Sequence, residues 1–223
     1  MADFPFDIVL FDLDGTLVDS NRDLTPAINH ALAIEGRPAV SPEDARHFIG
    51  GGAVKMLERA LESSGGAVSP ERLQELSTHL LEHYWAHIAD NTVPFPGCIE
   101  ALDVLEAKGC KLAVCTNKLE GPARMLLEKL GMDGRFAVIH GGDTFGHANA
   151  KPKPDMLLDA VEKCGGGRFA MIGDSSYDTR AGRAAGATVV ALSFGYNDVP
   201  VAELDCDVMI DHFDQLVDAL ERL

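Results

Sequence analysis

Four consecutive apolar residues, Ile8-Val9-Leu10-Phe11, run straight into Asp12-Leu13-Asp14-Gly15-Thr16-Leu17-Val18-Asp19-Ser20. An unbroken apolar run of strand length suits a strand buried on both faces, inside a parallel sheet. Side chains alternate along a strand, so Asp12 and Asp14 leave it on the same face. Gly15 turns the chain there, and Thr16 can bond back to the turn. Two like charges that close are unfavourable unless a divalent cation, a shared proton or both resolve the conflict. A carboxylate nucleophile beside a carboxylic acid proton donor, held by Mg²⁺, needs such an arrangement.

Further short apolar runs at 111–115, 137–140, 169–172 and 188–192, and a last one at 208–210, read as buried strands. Helical patterns alternate with them over 99–108, 120–130, 154–163, 177–185 and 213–222. In the first of these, Ile99, Leu102 and Leu105 recur every three residues, a helix face rather than a strand. Strand and helix in alternation make an α/β fold with a parallel sheet and right-handed crossovers.

The first strand breaks the alternation, because residues 19–94 hold no strand pattern. Ser41-Pro42-Glu43-Asp44 and Ser69-Pro70-Glu71-Arg72 both read as helix starts, with Ser as cap, Pro in the first turn and an acid near the positive end. Helical patterns fill 22–36, 43–49, 53–63 and 70–89. The expected division is a core of 1–18 and 95–223 and an all-helical insert of 19–94. The exits are Val18-Asp19-Ser20 and Asn91-Thr92-Val93-Pro94-Phe95-Pro96-Gly97. Prolines make the second exit extended and stiff, fit for one strap of a hinge.

Bulk properties exclude several classes. A formal net charge of -16 argues against nucleic acid and anionic membranes as partners. No apolar run approaches the ~20 residues of a membrane helix. Met1-Ala2-Asp3-Phe4 is acidic and lacks a basic leader region, so no secretory signal is expected. The five scattered cysteines, with no Cys-x-x-Cys pair, suit free thiols in a reducing cytoplasm. If the substrate is an anion, any positive field must be local, supplied by a metal ion and one or two placed lysines.

In an open parallel sheet, ligands bind at the carboxyl ends of the strands. Besides Asp12 and Asp14, three more groups sit at such ends. Cys115-Thr116-Asn117-Lys118 offers a hydroxyl and backbone N–H groups that can hold phosphate oxygens, or simply cap the next helix. Lys151-Pro152-Lys153-Pro154-Asp155 aims a lysine by fixing the backbone, though spacing does not settle which one points inward. Ile172-Gly173-Asp174-Ser175-Ser176-Tyr177-Asp178 places two acids one helical turn apart on one side, as oxygen ligands for Mg²⁺ or as capping and surface acids.

Asp12-x-Asp14-Gly15-Thr16, Thr116-Asn117, Lys151-Pro152-x-Pro154 and Gly173-Asp174-Ser175-x-x-Asp178 together resemble the four motifs of the haloacid dehalogenase superfamily. The resemblance runs over the whole chain and implies a Rossmann-like parallel-sheet core with a small all-helical cap inserted after the first strand. Within that resemblance Asp14 implies a phosphatase or phosphomutase, since dehalogenase members lack that second aspartate. Ile49-Gly50-Gly51-Gly52-Ala53, Phe95-Pro96-Gly97, Thr116-Asn117-Lys118, Gly141-Gly142-Asp143 and Phe194-Gly195-Tyr196-Asn197 resemble the phosphoglycolate phosphatases within it.

The resemblance implies Asp12 as nucleophile, Asp14 as general acid and base, and Lys151 as the motif lysine. It implies Mg²⁺ held by Asp12, the Asp14 backbone carbonyl and Asp174, with Asp178 nearby or bound through water. Thr116 and the Asn117 N–H would take the phosphoryl group. Lys118 and the backbone of the loop around Gly51 are candidates for a small carboxylate, and His47 is a weaker one. The implied partner is a small phosphorylated metabolite, and the implied assembly a monomer or homodimer. Three other readings stay open at this point. A phosphonoacetaldehyde hydrolase would need a cap lysine, and Lys55 is the one available. A β-phosphoglucomutase-like enzyme would use the same acids. A receiver-like or inactive binding module would be no enzyme.

Overall fold

The computed structural model describes residues 4–223, so the leader expectation, which rests on Met1–Asp3, lies outside the described residues. In chain order the elements are β1 (Ile8–Phe11), β2 (Val18–Asp19), α1 (Asn21–Ile34), α2 (Pro42–Arg46), α3 (Ala53–Ser63), α4 (Pro70–Ala86), β3 (Val93–Pro94) and α5 (Cys98–Ala107). There follow β4 (Lys111–Cys115), α6 (Glu120–Lys129), β5 (Phe136–His140), α7 (Asp155–Lys163), β6 (Phe169–Gly173), α8 (Ser176–Ala185), β7 (Thr188–Leu192), β8 (Val208–Ile210) and α9 (Leu216–Glu221).

Six strands form one parallel sheet in the order β5-β4-β1-β6-β7-β8. The run 208–210 is thus a sixth strand. β1 lies in the middle, pairing with β4 on one side and β6 on the other. Its residues alternate between two cores: Val9 and Phe11 pack on one face, Ile8 and Leu10 on the other. All four are fully buried, and each side chain contributes roughly 2 kcal/mol by leaving water. This explains the unbroken apolar run. The chain builds outward from β1 through β4 and β5, then returns to build β6, β7 and β8 on the other side. That reversal opens a crevice at the carboxyl ends of β1, β4 and β6.

The cap helices α1 to α4 follow β2. Ser41 accepts a hydrogen bond from the Asp44 N–H, and Ser69 from the Arg72 N–H, so both expected caps form. The apolar faces of three of these helices meet: Ile28 and Leu32 of α1, Leu57 and Leu61 of α3, and Leu76 and Leu80 of α4 are buried together. Three of the helices end two to three residues earlier than their patterns, at Ile34, Arg46 and Ala86.

The two crossings between core and cap hold a short ladder that the sequence pattern does not reveal. β2 and β3 pair antiparallel, Val18 with Pro94 and Asp19 with Val93. Two-residue strands carry no periodicity, and Pro94 lacks an N–H, which confines it to an edge. A second tie joins the same crossings. The buried Asp23 carboxylate accepts from the Asn91 and Thr92 N–H groups, the Thr92 hydroxyl and the Asn91 side chain. Burial alone would raise its pKa, but these hydrogen bonds outweigh that and hold it below the usual carboxylate value.

Among the described residues no helix is long and apolar enough to cross a membrane. All five cysteines are free thiols.

Candidate active site

The crevice gathers every group singled out above, but Lys151 comes from the loop before α7, eleven residues past the end of β5, and not from a strand end as expected. Lys151 settles the lysine ambiguity by its burial: it is 3 % exposed, whereas Lys153 is exposed. Its Nζ lies 2.9 Å from Asp12 Oδ1 and donates to Asp178 Oδ1 at 2.6 Å. Asp178 is held in turn by Ser175, whose N–H and hydroxyl donate to Oδ2 at 2.9 and 2.6 Å. Asp178 thus closes the first turn of α8 and aims Lys151 at Asp12.

Asp174 stands at the tip of β6. Its Oδ1 accepts from the Thr16 hydroxyl at 2.7 Å and its Oδ2 from the Tyr196 N–H at 2.6 Å. It does not cap α8, because Ser175 occupies that position. Gly15 makes room for it: φ is +84°, and a Cβ there would stand 2.5 Å from Asp174 Oδ2. Asp14 is bonded to a different set of groups. Its carboxylate takes Lys118 Nζ at 2.9 and 3.1 Å and the Ser20 hydroxyl at 2.6 Å.

Neither Thr116 nor Asn117 caps α6, whose capping position is Leu119 with no side-chain bond. Thr116 is buried, and its hydroxyl accepts from the Lys118 N–H. Asn117 donates to the Lys151 carbonyl at 3.0 Å, tying the β4 tip to the segment that carries the lysine.

Charge follows from this crowding. Burial pushes the Asp12 carboxyl up to about 6, with Asp178 adding to the rise and Lys151 and Thr116 opposing it. Burial, then Asp178 and Asp12, push Asp174 well above its usual range. Burial works against the charge on Lys151 and Lys118, but Asp12 and Asp178 around the first, and Asp14 beside the second, more than compensate and keep both protonated. One carboxylate oxygen each from Asp12, Asp174 and Asp178 lies within 4.8 Å of the others. Three oxygen donors, two of them acids driven toward neutrality by crowding, fit a hard divalent cation such as Mg²⁺. Both oxygens of Asp174 already accept, from Thr16 and Tyr196, and both of Asp178 from Lys151 and Ser175, so a cation would use the second lone pairs of these oxygens and the more open Asp12.

The cap covers these groups. A cleft of about 70 Å³ has a polar floor of Asp12, Asp14, Thr116, Lys151 and Asp174. Its roof comes from α1, α3, α4 and the Gly50–Gly52 loop, with Leu24, Met56, Leu80 and Tyr84 among the lining side chains. Gly51 lies on this lining with φ +75°, and a Cβ there would approach the Tyr177 hydroxyl to 2.9 Å. Lys55 is exposed, reaches toward that hydroxyl at 3.5 Å, and does not line the cleft. His47 is exposed and lines a separate depression beside Gly195 and Asn197.

Sequence reasoning missed three tyrosines. Tyr84 repeats at helical spacing with Leu76 and Leu80 and so reads as core. Tyr196 stands in the Phe194–Asn197 stretch that resembles the phosphoglycolate phosphatases, and Tyr177 inside the Gly173–Asp178 motif, but nothing in the sequence assigns either one a role. Tyr196 joins Asp174 to Asp19 at the first crossing between the sheet and the helical insert, and the Tyr177 hydroxyl accepts from Arg59 of the cap at 3.2 Å.

Residues 6–186 match the family model described as haloacid dehalogenase-like hydrolase. The chain belongs to that family. The haloacid dehalogenase-like hydrolase is 43% identical over 215 residues to a phosphoglycolate phosphatase of Agrobacterium fabrum, covering 96% of this chain and 91% of the relative. It is 41% identical over 219 residues to a phosphoglycolate phosphatase of Mesorhizobium japonicum, covering 97% and 96%. Among solved structures, one described as a predicted phosphoglycolate phosphatase from Haemophilus somnus superposes with a TM-score of 0.88 at 30% identity, covering 96% of this chain and 98% of the other. This hydrolase is a phosphatase acting on phosphoric monoesters.

Proposed function

We propose that this phosphatase hydrolyses 2-phosphoglycolate to glycolate and phosphate, with Mg²⁺, through a phosphorylated Asp12. The observation that carries the substrate is the 43% identity, over nearly the full length of both chains, to a phosphoglycolate phosphatase. The small cleft, closed over by the cap, suits a two-carbon ester.

The residues divide the work by position. Asp12, with Lys151 holding its carboxylate, is the nucleophile that attacks phosphorus in line. A carboxylate and a phosphate dianion repel each other, and Lys151 offsets that repulsion and stabilises the equatorial oxygens. Thr116 and the Asn117 N–H hold the same oxygens from the β4 tip. Asp14 gives a proton to the leaving glycolate oxygen, then takes one from the water that hydrolyses the Asp12 ester. Asp12, Asp174 and the Asp14 backbone carbonyl would hold Mg²⁺, which when bound supplies positive charge at the phosphoryl oxygens. Lys118 and the Gly50–Gly52 loop line the same cleft and would take the glycolate carboxylate.

Phosphate release from 2-phosphoglycolate, run beside p-nitrophenyl phosphate, glucose 1-phosphate and phosphonoacetaldehyde, tests this reading. The expected result is a kcat/KM for phosphoglycolate well above the others, abolished by EDTA and by Asp12→Asn. Equal, weak hydrolysis of all four would overturn the substrate, and full activity of Asp12→Asn would overturn the nucleophile.

A further inference from the structure

The roof of the cleft carries one buried hydroxyl with nothing to accept its proton. Tyr84, on α4 of the cap, is 2 % exposed, and its hydroxyl finds no acceptor for its proton among the described residues, since its polar neighbour Lys118 can only donate. A buried, unpaired donor is costly, and native proteins rarely tolerate one without a use for it. Tyr84 lines the cleft together with Asp14 and Lys118. Lys118 Nζ stands 4.3 Å from the centre of its ring, a cation–π distance. That ammonium has three N–H donors, and Asp14 accepts through its two oxygens. The ring face and the lysine therefore build a corner holding a hydroxyl donor and a cation.

We infer that Tyr84 is a specificity residue, its hydroxyl donating to the carboxylate of the substrate's leaving group while Lys118 supplies the opposite charge. The inference rests on the proposed phosphoglycolate reading and adds the residue by which the cap would read the acid. Three features favour a carboxylate over a neutral group in this corner. The site is buried, so a hydrogen bond there is strong and a missing one is felt. Lys118 is fixed by Asp14 and Tyr84, so it needs no reordering to meet an anion. Burial, opposed in part by Lys118, also pushes the Tyr84 hydroxyl up to about 12, so it is a donor at every working pH. The corner lies on the cap side of Asp14, which would face the ester oxygen, and a two-carbon leaving group is short enough to stay within the cleft.

The test compares 2-phosphoglycolate with 2-hydroxyethyl phosphate, which has the same skeleton with an alcohol in place of the acid. Tyr84→Phe keeps the ring and its contact with Lys118 and removes only the hydroxyl. The expected result is that the wild-type preference for the acid, as a ratio of kcat/KM values, falls at least about tenfold in the variant, the worth of one hydrogen bond to a charged acceptor. The fall should appear mainly as a rise in KM, since the carboxylate takes no part in the chemistry. A purely structural role would depress both substrates alike and leave the ratio unchanged. If the wild type prefers the acid and Tyr84→Phe keeps that preference within twofold, the Tyr84 assignment is overturned and the substrate reading stands. If the wild type shows no preference, the substrate reading fails and the assignment falls with it.

Discussion

The Tyr196 hydroxyl donates to Asp19 Oδ1 at 2.5 Å, while the amide of the same residue donates to Asp174 at 2.6 Å. One residue thus touches Asp174 at the tip of β6 and the first crossing into the cap. The hydroxyl also accepts from the Asn21 N–H at 2.9 Å, at the start of α1. Tyr196→Phe keeps the amide bond and removes both bonds of the hydroxyl at this crossing. With the Asn21 N–H and Asp19 left short of a partner, the variant should lose about 1–3 kcal/mol in urea unfolding. Its kcat should fall while phosphate release stays dependent on Asp12. Unchanged stability would show that the crossing does not depend on these bonds.

Lys151 is the shared cation of two buried acids, and removing it should be among the most damaging changes in the chain. Lys151→Met leaves Asp12 and Asp178 facing each other without compensation, at an expected cost of about 3–5 kcal/mol. Activity should vanish, because the nucleophile loses its partner and the phosphoryl group its fixed charge. Lys151→Arg should restore little, since a planar fork does not occupy the place of a compact ammonium. Urea midpoints and phosphate release from the two variants check both parts. Arg recovering most of the activity would reduce Lys151 to a general source of charge.

The strands and the site were legible for one physical reason: a strand buried on both faces must be apolar, and its tip must then carry whatever polar chemistry the sheet presents. Ile8–Phe11 followed by Asp12 shows this directly, as does Phe169–Ile172 followed by Gly173 and Asp174. What was not legible depends on groups far apart in sequence. Lys151 and Lys153 are equivalent in spacing; the family resemblance singles out Lys151, and the physical reason, its burial at the β4 tip while Lys153 is exposed, appears only in the packed structure. Asp23 looks like an ordinary acid in the first turn of a helix. Its four donors come from Asn91 and Thr92, which no local pattern connects to it. Tyr84 is hidden for the opposite reason: its spacing is that of a core residue, and it is one, except at its hydroxyl.

Gly15 is required twice over. Its φ of +84° disfavours any side chain, and a Cβ would meet Asp174 Oδ2 at 2.5 Å and the Tyr196 ring at 2.9 Å. Gly15→Ala should therefore displace Asp174 as well as strain the turn. The expected outcome is a protein that folds with reduced stability, about 1–3 kcal/mol, and whose activity needs a much higher Mg²⁺ concentration. A Mg²⁺ titration of phosphate release reads the effect. A variant with reduced stability and an unchanged Mg²⁺ dependence would mean that Asp174 had not moved.

Asp23 and Asp12 give stability opposite pH dependences in separate windows. Asp23 is held below its usual value, so its contribution is complete above about 4 and is lost as the pH falls through its folded value. Asp12 is raised from 3.8 to about 6, so the folded chain holds that proton more tightly than the unfolded one. Its contribution is complete below 3.8 and is lost as the pH rises through about 6. The interval corresponds to about 3 kcal/mol. In EDTA-treated protein, the unfolding free energy in urea should therefore fall between pH 4 and pH 7. Asp12→Asn should make that fall shallower, because its amide does not titrate, and leave the part that belongs to Asp174, which burial also raises. Mg²⁺ added at pH 7 should restore stability to the wild type by binding the ionised acids of the folded state alone. Parallel profiles for wild type and Asp12→Asn would show that the burial of Asp12 carries no such cost.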